Sequence, residues 1–126
     1  MGMERTVIFP SKSVPAWTGV RDLLTAHHFP AQLRMIDGEL SFPDELPPEN
    51  WRDLRISTSQ GMVTLRREVD RVLVVTWGNA DSTLVQAWNA VTWAIAEAGE
   101  GKVLSADGPT SATAFRKTAE LPSSMQ

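Results

Sequence analysis

The sequence predicts an α+β domain: a mainly antiparallel sheet of about five to six strands, two main helices packed on one face, and a short C-terminal helix. Three observations predict it. Short runs of alternating apolar and polar residues, punctuated by turn residues, fill the middle of the chain. Two longer segments carry apolar residues at helical spacing. The run VLVVTW at 72–77 is apolar on both sides, as in a strand whose two faces are covered. Hairpins with separated helices put the helices on one side of an antiparallel sheet. The order strand, strand, helix, strand over 62–106 is compatible with half of a ferredoxin-like sandwich.

Taken in order, RTVIFP at 5–10 reads as a first strand closed by proline. A helix follows, with Ser13 as its cap and Pro15 in its first turn. Ala16, Trp17, Val20, Leu23, Leu24 and His27 share one face of it, and Pro30 ends it. LRMIDGELSF at 33–42 predicts a hairpin, because Asp37-Gly38 suits the positive φ that a two-residue turn requires. Pairing about that turn sets Met35 opposite Leu40 and Leu33 opposite Phe42, all four on one face. PDELPPEN at 43–50 reads as a loop. Strands are expected at 51–58, 62–69 and 72–77, with a tight turn at Asp70-Arg71. A helix capped by Asp81 or Ser82 runs to about Ala98, with Leu84, Trp88, Val91 and Ile95 as its core stripe and Gly99 as its stop. KVLSA at 102–106 reads as a last strand, Asp107-Gly108-Pro109 as a turn, and TSATAFRKTAEL as the short final helix.

The chain of 126 residues is expected to form a single domain over 1–126, with Met1 and Gly2 as a candidate expression scar and 122–126 as a tail. Its net charge of −3 supplies no general attraction to nucleic acid or to an anionic membrane. The absence of cysteine excludes disulfides, thiol catalysis and cysteine-held metals, and fits a reducing compartment. No apolar run reaches the roughly 18 residues of a membrane span. Pro10, Ser11 and Lys12 break the only N-terminal apolar stretch, so no signal peptide is expected and a cytoplasmic location is.

Chemical motifs are sparse. His27 and His28 are adjacent, so on a helix they point about 100° apart and cannot form an i, i+4 metal pair. Their place near a helix C-terminus suits the partial negative charge there. GEGK at 99–102 fails as a phosphate loop: Ala96 stands where its first glycine would be, Val103 follows Lys102, and the segment leaves a helix instead of entering one. No metal and no cofactor is expected. Most carboxylates sit at turns or caps. Asp81, beside Asn79 at the end of the apolar strand, is the one best placed for a ligand.

Arg55 and Arg66 alternate onto the face away from Leu54 and Val63, where they could hold an anionic group or stand as a solvated face. With Trp77 as a stacking platform, the candidate ligand-binding set is Trp77, Asn79, Asp81, Arg55 and Arg66. The tryptophans divide by phase. Trp88 lies on the helix's core stripe. Trp93 lies about 140° around from it, near Gln86, Asn89, Ala90 and Glu97, either as part of a contact surface or under the C-terminal helix or the 43–50 loop. If the helices cover one face of the sheet, a partner or a curled sheet must cover the other near Leu73, Val75 and Trp77.

These residues lead to the expectation of a small non-catalytic binding module of a cytoplasmic bacterial protein, acting by self-association, as an adaptor, or by neutralising a toxin. The expected partner is a protein or a second copy, with neither nucleic acid nor membrane. The alternative is an enzyme or small-molecule binder using the strand–helix junction from Trp77 to Asp81.

Overall fold

The computed structural model describes residues 3–11, 13–77 and 81–125. The chain runs β1 (Met3–Ile8), α1 (Trp17–Ala26), β2 (Gln32–Ile36), β3 (Glu39–Leu40), β4 (Asp53–Thr58), β5 (Gly61–Arg67), β6 (Arg71–Thr76), α2 (Ser82–Gly99), β7 (Lys102–Ser105), β8 (Gly108–Ser111), α3 (Ala112–Thr118) and a 3-10 turn at Ser123–Met125. The strands form one sheet in the order β3-β2-β4-β5-β6-β1-β7-β8, and every neighbouring pair is antiparallel. β6 and β7 flank β1 and therefore run parallel to each other. α2 carries the chain between them, making a split β-α-β unit.

The α+β class and the antiparallel sheet are as the sequence predicts, but the sheet has eight strands instead of five to six. β3, expected as the second arm of the 33–42 hairpin, is only two residues long, and β8 (GPTS) forms where a turn is expected, from a segment that holds a glycine and a proline. Pro109 is tolerated in β8 because that strand is an edge and its outer side needs no N–H donor.

All three helices lie on the same face. Trp17, Val20 and Leu24 of α1, Val91 and Ile95 of α2, and Phe115 of α3 share one core with Val7, Leu33, Leu54, Ile56, Val63, Leu65, Val72, Val74 and Val103 of the sheet. α2 forms because its N-terminus is capped. The Asp81 carboxylate accepts from the Leu84 N–H at 2.9 Å and from the Thr83 hydroxyl at 2.7 Å. At the other end Glu100 takes the left-handed conformation, φ 53°, and the Gly101 N–H closes on the Ala96 carbonyl.

Gly99 is thus the last helical residue, and its role differs from the expected stop. A Cβ there would lie 2.5 Å from the Phe9 ring and 2.7 Å from Pro15, so glycine lets the helix end approach β1 and the lead-in to α1. α1 likewise starts after Ala16 with no side-chain cap, two residues beyond the expected first-turn proline.

The Asp37-Gly38 turn has φ values of 50° and 87°, as predicted, and sets Met35 opposite Leu40. The expected Leu33–Phe42 pair does not form. β2 also pairs with β4, and a bulge between Leu33 and Met35 shifts that register. One extra residue reverses the facing of everything beyond it. Leu33 enters the core, fully buried, whereas Met35 turns to the opposite side. β3 ends at Leu40, and Phe42 is exposed.

Two glycine substitutions should act in opposite directions. Gly99→Ala should cost about 1–3 kcal/mol by overpacking against Phe9 and Pro15. Gly19→Ala, inside α1 with open space around its Cβ position, should add up to about 1 kcal/mol. Urea denaturation of the two variants beside the wild type measures both.

Candidate functional site

The side of the sheet opposite the helices is the surface this fold leaves bare. Register assigns its residues. Leu54, Ile56, Leu65, Val72 and Val74 point to the core, so Asp53, Arg55, Met62, Thr64, Arg66, Leu73 and Val75 point away. Met35 and Leu40 join them at the β2–β3 edge. Arg34, the bulge residue, is on this side too: its Nε donates to Ser57 Oγ at 2.9 Å and its other guanidinium nitrogen to Gln32.

Trp77, just past β6, is 51% exposed, and the Arg66 guanidinium sits 5.2 Å from its ring centroid. In register, Arg66 is opposite Leu73, and Thr64 is opposite Val75. For Arg66 to reach Trp77, both side chains must lie along the strands above the Thr64–Val75 pair. That accounts for those two residues being 3% exposed on a face with no helix over it. Asp53, across from Arg66 on β4, holds it in an ion pair at 3.6 Å. Arg55 is exposed and has no ion pair among the described residues. The centre of the face is therefore an arginine-capped indole with a second, uncompensated arginine beside it.

The structure brings together Trp77 and Arg66, and puts Arg55 on the same face, as the sequence suggests. Asp81 does different work. Its carboxylate is taken up by the Leu84 N–H and the Thr83 hydroxyl, which hold its pKa below the usual carboxylate range. Asn79 lies outside the described residues. A cleft opens at the β2–β4 side of this same face. It measures about 470 Å³ and is bounded by Met35, Asp37, Arg52, Asp53 and Arg55, where Asp37 Oδ1 already accepts from the Arg52 and Asp53 amides.

Of the two alternatives for Trp93, the exposed contact surface is corrected and cover by the C-terminal helix is what the structure shows. Trp93 is 3% exposed, and Asn89 and Ala90 are buried with it; Gln86 is half-buried and only Glu97 of that set is fully at the surface. Trp93 does point away from the sheet, as its helical phase relative to Trp88 implies. A second layer meets it there. The His27 ring stands edge-on to the indole with centroids 4.8 Å apart, the Arg116 guanidinium lies 4.6 Å from its centroid, and Arg116 also donates to the Met125 carbonyl. Asn89 ties the same cover down by donating to the Glu120 carbonyl at 2.9 Å.

Sequence reasoning missed Arg5. It faces the helices, 4.2 Å from the Trp88 ring centroid and 5.3 Å from that of Phe115, and donates to Asn89 Oδ1 at 3.0 Å. Burial lowers its pKa below the ordinary arginine value. The signal was available in RTVIFP, where strand alternation puts Arg5 on the side of Val7 and Phe9.

Among the described residues no three histidine, cysteine, aspartate or glutamate side chains converge to hold a metal ion, and no helix is long and apolar enough to cross a membrane. Comparison with known protein families, with curated proteins and with solved structures finds no match.

Two outcomes follow from this geometry. Trp93→Ala should cost about 3–5 kcal/mol of stability, and Trp77→Ala less than about 1 kcal/mol, as read by urea denaturation. The His27 pKa is lowered, first by burial, then by Arg116 and His28, against an opposing pull from Glu97. The folded chain therefore binds this proton less readily than the unfolded chain does. The corresponding stability is present above the free imidazole value of about 6.5 and is lost as pH falls below it. Unfolding midpoints measured across that range should fall more steeply for the wild type than for His27→Gln.

Proposed function

We propose that this chain is a small non-catalytic protein-binding module that presents its helix-free sheet face to another protein surface, as a self-associating, adaptor or toxin-neutralising domain. The observation that carries the reading is the half-exposed Trp77 under Arg66, with Arg55 uncompensated beside it. Tryptophan and arginine are the residues most enriched where protein contacts concentrate their energy. Met62, 46% exposed, and Leu73 extend the apolar part of the patch, and the helices bury the other side of the sheet completely enough that this side is the one left to pair. The absence of cysteine suits a cytoplasmic setting. The split β-α-β unit is the part of the fold that ferredoxin-like layering would share.

A second reading, favoured by the same Arg66–Trp77 contact, is a small anionic ligand stacked on the indole between Arg66 and Arg55. Asp81 has no part in it, since its carboxylate caps α2.

The test is paired affinity capture from the native host with the wild type and a Trp77→Ala/Arg66→Ala variant. A protein retained by the first and lost by the second is expected. Identical recovery on both, or no specific recovery by either, would sink the reading. Quenching of tryptophan fluorescence by inorganic phosphate, abolished in the same variant, would favour the small-ligand reading instead.

A further inference from the structure

The chain carries a second unusual surface beside the first. Leu40, Phe42 and Leu46 are 87%, 75% and 66% exposed, and they lie among Glu39, Asp44 and Glu45. A surface loop ordinarily shows polar residues to water. Three large apolar side chains held out among acids have the composition of a docking segment. The sheet face is the more basic one: Arg34, Arg55 and Arg66 stand there with Met62 and Trp77, against two carboxylates, Asp53 paired with Arg66 and Glu4 in register with Val75. Within a chain of net charge −3, the acids of the 39–45 segment and the arginines of the sheet face stand apart, and Leu40 joins the two surfaces at the β3 edge.

We propose that the occupant of the helix-free face is the acidic, apolar loop at 41–50 of a second copy of this chain, each copy laying its loop on the other's face about a two-fold axis. The inference rests on the face reading above and names its partner.

The loop cannot serve its own face. It leaves from β3, the edge strand, and β3 lies four strand steps from β6, about 19 Å at roughly 4.8 Å per step. Its far end is anchored on the helix side, where Trp51 is buried in the core and Arg67 donates to the Glu49 carbonyl. A rotation of 180° about an axis along the strands brings the β3 edge of each copy over the middle of the other's sheet. Leu40 already points to that side, in register with Met35. The contact is then isologous and closes as a dimer. A standard interface takes about 800 Å² from each partner, which is roughly a tenth of this chain's 7028 Å².

The experiment is light scattering coupled to size exclusion, across a concentration series, on the wild type, Arg55→Glu, Asp44→Lys, and an equimolar mixture of the two variants. Arg55 and Asp44 are both exposed, so circular dichroism and melting should be unchanged. The wild type is expected as a dimer that weakens at high salt. Each charge reversal should weaken dimerisation about tenfold or more. The mixture should restore it, because the reversed loop of one copy meets the reversed face of the other while the remaining pair is native. A wild type that stays monomeric throughout overturns the inference. So does a dimer that neither reversal weakens, or a mixture that fails to recover. If the chain is monomeric yet still captures a protein in a manner dependent on Trp77 and Arg66, the second-copy inference fails while the face reading stands.

Discussion

α2 is seated across the middle of the sheet, and most of the structure depends on how it is held there. The Trp88 indole N–H donates to the Val74 carbonyl of β6 at 2.8 Å, so a large apolar side chain is fixed to the strand backbone and its one polar atom is satisfied. A buried indole without that bond would carry the cost of an unpaired donor. The same ring takes the Arg5 guanidinium on its face, and Arg5 in turn donates to Asn89, one residue along α2. Sheet and helix are thus joined by directional contacts as well as by area. α1 and α3 then pack against α2 on its flanks, which is why all helical mass accumulates on one side.

That one-sidedness has a consequence at each surface. On the helix side, a second tier of cover reaches even the residues that α2 turns away from the sheet. Trp93 is enclosed by His27 from the end of α1, Arg116 from α3, and the C-terminal turn. This cover is held by ring–cation and hydrogen-bond contacts, several of them ionisable, so its stability is tied to pH in a way the aliphatic core is not. On the other side nothing comparable exists among the described residues. The sheet shields its own centre there by laying Arg66 and Trp77 along the strands over Thr64 and Val75. Such a cover is thin and water-exposed, and both of its members suit contact with another surface.

The segregation of charge follows from the same topology. Acids sit mostly in turns and caps, where they have local donors: Asp81 at α2, Asp37 at the β2–β3 hairpin, Asp70 beside Arg71. Arg34, Arg55 and Arg66 sit on strands with their side chains on the side that the core does not use, whereas Arg5 faces the helices. A modestly acidic chain can therefore present a basic face, and its net charge is a poor guide to what that face will bind.

Much of this was legible from residues alone. Alternation, helical spacing, the Asp37-Gly38 turn and the Asp81 cap are local properties, and local steric and hydrogen-bonding rules determine them without reference to the rest of the chain. They were enough for the class, the positions of the main helices, the facing of Arg55 and Arg66, and the likeness of the 72–77 strand to a central one. Three things were decided only in tertiary structure. A bulge opposite β4 reversed Met35 relative to Leu33, because pairing with a neighbour distant in sequence outweighed the hairpin's own register. β8 formed from a glycine–proline segment with little strand propensity, because β7 offered it a ladder and an edge tolerates proline. Trp93 was buried by residues more than twenty positions away on either side. Helical phase states which way a side chain points, but what stands there depends on how the other elements pack.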